Sequence, residues 1–195
     1  GKARAMAQDV TDEAQWQAVF ASLRATEKRL DIVFNNAGVS NNGILLSDTT
    51  LEQWRHVNAA NVEGVFLGTK YGIEMMAETG GGSIINMGSN SWHETGGGFP
   101  AYATSKAAVH GLTRTMARDL GQHRIRVNTV VPGWIMTDRQ KDLWATPEAL
   151  ESQRQRQCLP DLIKPIYVAR MVIFLASDDA FMCSANNYMV EGGSI

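Results

Sequence analysis

A chain of 195 residues holds one sizeable hydrophobic core and is too short for two comfortable domains. Its 44% apolar and 19% charged residues describe a folded globular domain, which excludes a disordered tail. A formal net charge of −2 without any basic run excludes a nucleic-acid surface, and apolar stretches far short of the ~20 residues of a bilayer span exclude a membrane helix.

In chain order, Arg4 to Asp9 reads as a short strand and is followed by a helix from about Asp12. There Trp16, Val19, Phe20 and Leu23 form one apolar stripe, and Asp12 and Glu13 complement the helix dipole. Asp31-Ile-Val-Phe34 is a buried strand running into Asn35-Asn36-Ala37-Gly38. Thr50-x-x-Gln53 offers a capping box for a second helix, which runs toward Glu78 and is broken by Gly80-Gly81-Gly82.

Ser83 to Met87 is the next strand, and a loop with Gly96, Gly97 and Gly98 leads to Pro100. A helix from about Tyr102 to Leu120 precedes the strand Ile125 to Val131, which Pro132-Gly133 stops. Met136 to Pro160 is polar and Gln-rich, as a lobe over an active site often is. A helix over 165–176 and a strand over 187–190 complete the pattern.

Strands alternating with helices predict an α/β, doubly wound parallel sheet of Rossmann type, with helices on both faces. Such folds carry dinucleotide pyrophosphate at a glycine-rich turn between a strand and a helix. No Gly-x-Gly-x-x-Gly follows any strand here, and both glycine triplets read as turns. Cys158 and Cys183 show no Cys-x-x-Cys or Cys/His clustering, so they read as reduced thiols of a cytoplasmic protein with no metal site.

Tyr102 and Lys106 lie at i and i+4, on one helix face. A phenol of pKa about 10 is a poor base near neutrality, and a nearby positive charge lowers that value. Tyr102 is thereby a candidate acid-base group for an alcohol. Ser89 follows the strand 83–87 at a carboxyl end, where parallel sheets bind ligands, and its hydroxyl suits an oxygen that gains charge. Asn61 shares an inward stripe with Trp54, Val57 and Val65. It is either a satisfied core amide or a group that holds a water and links Lys106 to solvent. Asn58, one turn earlier, competes for that role.

These residues resemble the classical short-chain dehydrogenase/reductase family over nearly the whole chain. Asn35-Asn36-Ala37-Gly38, Asn61-Val-Glu-Gly64, Ile85-Asn-Met-Gly-Ser89, Tyr102-x-x-x-Lys106 and Pro132-Gly133-x-x-x-Thr137 follow in family order. Glu191-Gly192-Gly193 is similar to a terminal Asp-Gly-Gly, with Glu in place of Asp.

The resemblance favours Asn61 over Asn58 and implies catalytic Asn61, Ser89, Tyr102 and Lys106 with NAD or NADP as cofactor. Asp9 and Val10 would flank the adenine, and Asn35, Ala37 and Gly38 would line the dinucleotide. Lys106 would grip the nicotinamide ribose beside Tyr102, and Pro132, Gly133, Ile135 and Thr137 would hold the carboxamide.

The resemblance implies one dinucleotide-binding and catalytic domain over 1–195, with 136–160 as its substrate-side lobe. The family's first two strands and Gly-rich turn, about 50 residues, have no counterpart here. The sequence as it stands is therefore expected to be part of a longer active enzyme and to bind dinucleotide poorly. Family members commonly form tetramers or dimers, and the apolar stretch Met171 to Leu175 fits a homo-oligomer.

Within the family, Ile85 to His93, Pro132 to Gln140, Leu143 to Pro147 and Phe174 to Asp179 look most like the sugar 1-dehydrogenases, which oxidise an aldose at C1 to a lactone. Asn90, Trp92, His93, Trp134 and Arg139, with Glu94 beside them, are the substrate candidates, offering aromatic platforms and polar groups to a sugar or polyol. A carbonyl or 3-oxoacyl reductase is the alternative within the fold. A non-catalytic assembly or ligand-sensing module is the alternative outside it, and the presence of Tyr102 and Lys106 speaks against that.

Overall fold

Periodicity decides most of the elements found in the computed structural model, which describes residues 3–195. Helix α1 (Glu13–Thr26) starts at Asp12, whose carboxylate accepts the Ala14 and Gln15 amides. Strand β1 (Ile32–Asn35) is followed by α2 (Leu51–Asn58), which opens on a complete capping box between Thr50 and Gln53. Helix α3 (Gly64–Glu78) leads to β2 (Gly82–Met87) through Gly80 and Gly81, both at positive φ. Helix α4 (Pro100–Leu120) then precedes β3 (Ile125–Pro132). The short helices α5 (Asp138–Leu143) and α6 (Pro147–Arg156) make up the polar stretch. Helix α7 (Pro165–Ala176) and β4 (Asn187–Val190) complete the chain.

The four strands form one parallel sheet in the order β1-β2-β3-β4, with Ile32 opposite Ser83, Gly82 opposite Ile125 and Thr129 opposite Asn187. Alternation along the strands divides the core between the two faces. Ile84, Val127 and Val33 pack with Met76, Ala117 and Leu120 of α3 and α4. Ile85 and Val130 pack with Val168 and Leu175 of α7 on the other face. All strands point their carboxyl ends the same way, so the loops after β1, β2 and β3 gather at one edge.

Three expectations need correction. Arg4–Asp9 has no strand ladder and is largely exposed, because no strand lies beside it to take its amides and carbonyls. Strand β1 is not buried throughout. Val33 faces α3, but Ile32 and Phe34 are 45% and 40% exposed, since α7 packs chiefly on β2, β3 and β4 rather than on β1. The helix from Thr50 to Glu78 is interrupted by a π-turn at Ala59–Glu63, where the Gly64 amide reaches back to the Ala59 carbonyl. Among the described residues no helix is long and apolar enough to cross a membrane.

Candidate active site

Helix α4 begins at Pro100, whose fixed φ suits a first turn, and presents Tyr102 and Lys106 one turn apart beneath the end of β2. Lys106 is almost fully buried. Its Nζ donates to the Met87 carbonyl at 2.8 Å and lies 5.7 Å from the centre of the Tyr102 ring. Ser89 stands just past β2 in extended backbone, is 8% exposed, and accepts the Ser91 amide at 3.1 Å. It starts a 3-10 turn, Asn90–Trp92.

Burial pushes the Lys106 ammonium down to about 8. The Tyr102 phenol is raised by burial, and a hydrogen bond with Ser89 acts the other way. The lowering of the phenol by Lys106 that the sequence suggests is not realised in the protein alone. The ammonium faces the Met87 carbonyl, and burial dominates the phenol, opposed by its hydrogen bond with Ser89.

Asn61 sits in the π-turn with no exposure to solvent. Its Oδ1 accepts the Val39 amide at 2.8 Å, and its Nδ2 donates to the Val39 carbonyl and to Ser105 Oγ, each at 2.9 Å. Ser105 in turn donates to the Tyr102 carbonyl at 2.7 Å. The side-chain amide is therefore engaged by three protein groups. It pins the loop after β1 to α4 at the turn that carries Tyr102. Asn58 bonds to the Trp54 carbonyl of its own helix.

Gly38, Ser89, Asn90, Tyr102, Lys106, Pro132, Gly133, Trp134, Ile135, Thr137 and Arg139 all line one cleft of about 800 Å³. The other candidates lie off its wall. Asp9 is exposed and its carboxylate binds Thr11, while Val10 packs against Gly64 and accepts the Trp16 indole N–H. Asn35 is buried below the site, donating to Asn86 Oδ1 at 2.8 Å, and Ala37 is exposed beside the cleft. Trp92 turns from the cleft toward α4, its indole N–H reaching His110 Nε2 at 3.2 Å, with the His93 ring 3.7 Å from its own. His93 fronts a separate hollow. Neither Trp92 nor His93 lines the cleft that holds Ser89 and Tyr102. Asn90 and Glu94, four residues apart, face the cleft, and Trp92 between them does not.

The structure adds Asn36, Phe99, Gln140, Trp144, Gln153 and Arg156 to the wall. Gln140 accepts the Trp134 indole N–H at 2.6 Å, which fixes that ring against α5. Four of the six come from the chain beyond β3, where no spacing in the sequence points to them.

A family model described as Enoyl-(Acyl carrier protein) reductase matches residues 1–194. The D-xylose 1-dehydrogenase of Caulobacter vibrioides is 39% identical over 177 residues, 91% of this chain and 69% of that protein. The NADP-dependent (R)-specific alcohol dehydrogenase of Lentilactobacillus kefiri is 36% identical over 188 residues, 95% of this chain and 74% of that protein. Among solved structures, a gluconate 5-dehydrogenase from Burkholderia cenocepacia in complex with NADP and tartrate superposes with a TM-score of 0.90. It has 26% identity, and the match covers 96% of this chain and 73% of that one.

Proposed function

The chain belongs to the short-chain dehydrogenase/reductase family, and from that membership we propose that this oxidoreductase oxidises the C1 hydroxyl of an aldose to a lactone with NAD or NADP. The observation that carries the reading is a single cleft in which Ser89, Tyr102 and Lys106 face the polar wall of Asn90, Glu94, Gln140, Gln153 and Arg156. Such a wall suits a polyhydroxylated substrate, because each hydroxyl that enters it needs a partner. The likeness to a D-xylose 1-dehydrogenase supports the same reading.

The residues present fit the nicotinamide end of the cofactor. At Gly38 a Cβ would sit 3.1 Å from Asn61 Oδ1 and 3.6 Å from Lys106 Nζ, so its absence keeps the approach to the ammonium open. Lys106 has one hydrogen-bond partner among the described residues, which leaves two N–H groups for ribose hydroxyls. Pro132, Gly133, Ile135 and Thr137 lie along the same cleft for the carboxamide. When bound, the nicotinamide supplies the hydride acceptor and a positive charge.

Ser89 hydrogen-bonds the substrate oxygen and orients it toward Tyr102. As the carbonyl forms, the Tyr102 phenolate takes the hydroxyl proton on Oη and returns it in the reverse direction. Burial favours the neutral phenol and the hydrogen bond with Ser89 opposes it, so a bound cationic nicotinamide would supply the charge that favours the phenolate. Asn61 acts through position, holding the loop after β1 and the first turns of α4 in register.

Residues 136–160 form the substrate-side lobe, from which α5 and α6 send Gln140, Gln153 and Arg156 into the cleft. A homo-oligomer is supported by α7, where Ile166, Tyr167, Ile173 and Phe174 are exposed, with Phe181 and Met182 beyond its end.

The second reading, oxidation of a simple secondary alcohol, draws support from the alcohol dehydrogenase relative and from Phe99, Trp134 and Trp144 on the wall. The test is nicotinamide reduction at 340 nm by the full-length protein on aldoses, polyols, hydroxyacyl compounds and secondary alcohols, each with NAD and NADP. Preferred turnover of an aldose is expected. Turnover confined to the other classes would overturn the sugar reading.

A further inference from the structure

Glu94 and Arg156 line two hollows at once. One is the cleft with Ser89 and Tyr102, and the other, of about 770 Å³, is bordered by His93, Met189 and Ser194. The pair is therefore the partition between them. Glu94 comes from the turn after β2 and Arg156 from the last turn of α6, segments that the fold brings together at this point.

Each side of the partition is anchored from behind. Glu94 Oε1 accepts the Asn90 amide N–H at 2.6 Å, and the same Asn90 nitrogen reaches Ser194 Oγ at 3.2 Å. Ser194 is held by the Glu191 carboxylate. Arg156 donates to Gln153 Oε1 at 2.8 Å. Gln153, 2% exposed, donates to Gln157, which closes on the carbonyls of Leu159 and Asp161.

The facing charged groups stop short of each other. Arg156 Nη1 lies 3.9 Å from Glu94 Oε2, too far for a direct hydrogen bond and close enough for one oxygen between them. A substrate hydroxyl placed there donates to the carboxylate and accepts from the guanidinium, satisfying both of its capacities. An aliphatic chain at the same place offers no hydrogen bond to the two facing atoms, Arg156 Nη1 and Glu94 Oε2.

We propose that Glu94 and Arg156 are specificity-determining residues that read a hydroxyl on the end of the sugar remote from the reacting carbon and close the cleft behind it. This rests on the aldose reading and goes beyond it by naming the groups that select a hydroxylated tail and limit its length.

The test compares the full-length enzyme with Glu94→Gln and Arg156→Ala on a pentose, a reducing disaccharide and 2-butanol. Both variants are expected to raise KM for the pentose about tenfold at little-changed kcat, as loss of one charge-assisted hydrogen bond does. Kinetics on 2-butanol, which has no remote hydroxyl, stay within about twofold by the same reasoning. Arg156→Ala, which joins the two hollows, shifts kcat/KM toward the disaccharide relative to the pentose.

An unchanged pentose KM in both variants would overturn the hydroxyl-reading role, as would an equal loss on pentose and 2-butanol. Absence of a disaccharide shift would overturn the closing role. A full-length enzyme that turns over 2-butanol and no aldose would remove the aldose reading itself, and this assignment with it.

Discussion

His110 is the buried titratable group whose removal has the most calculable effect. It lies one turn beyond Lys106 on α4 and is 5% exposed, with Nε2 accepting the Trp92 indole N–H and Nδ1 without a partner. A proton on Nε2 would set donor against donor. Burial, followed by the charges of His93 and Lys106, lowers the imidazole to about 4. The unfolded chain holds this histidine near its usual pKa of about 6.5, so between those values the unfolded state binds the extra proton. Stability is then fully present above about pH 6.5 and lost as pH falls toward 4. The loss is about 3 kcal/mol in all, about 2 of it between pH 7 and pH 5.

His110→Gln keeps an acceptor for the indole and removes the titration. The assay is urea unfolding of both proteins at pH 7 and pH 5. The parent is expected to lose about 2 kcal/mol more than the variant over that interval. Parallel losses in the two proteins would refute the placement of a neutral imidazole in this pocket.

Two further substitutions test the packing under the site. Asn86 is fully buried, accepting from Asn35 and donating to Thr113, which is itself paired with Thr129. Asn86→Leu should cost about 3 kcal/mol by leaving buried polar groups unpaired, and a loss under about 1 kcal/mol in urea unfolding would contradict the network. Gly68→Ala puts a Cβ onto Asn35 Oδ1 and 2.9 Å from the Trp16 ring, so α3 must move off β1 and α1. A loss of about 1–3 kcal/mol by the same measurement is expected, and a neutral variant would show that this contact is slack.

Local signals in the sequence account for much of the fold. The stripe around Phe20, the Thr50 capping box and the bounds of α7 and β4 are properties of short segments, and they appear where periodicity places them. Arg4–Asp9 fails as a strand because a strand exists only beside a partner, which no local pattern reports. The exposure of Ile32 and Phe34 has the same origin, since the reach of α7 across the sheet is a tertiary fact. The π-turn at Ala59–Glu63 leaves the apolar stripe almost unchanged and shows no sign in the residue types.

At the site, i and i+4 spacing placed Tyr102 with Lys106, and the strand end placed Ser89. The substrate wall was less legible. The 3-10 turn after Ser89 sends Asn90 and Glu94 to the cleft and Trp92 to His110, so adjacency to the serine was a poor guide. Arg156 has no motif of its own and gains its position from Gln153 and the packing of α6.

Exchange of the substrate proton by Tyr102 is the core of the proposed nicotinamide-dependent oxidation of an aldose. It is tested most directly by Tyr102→Phe in the full-length enzyme, with aldose oxidation followed at 340 nm and cofactor binding titrated separately by nicotinamide fluorescence. The variant's kcat is expected to fall about 10²–10⁴-fold while the cofactor still binds. A variant that keeps its cofactor and turns over the aldose within about tenfold of the parent would contradict it.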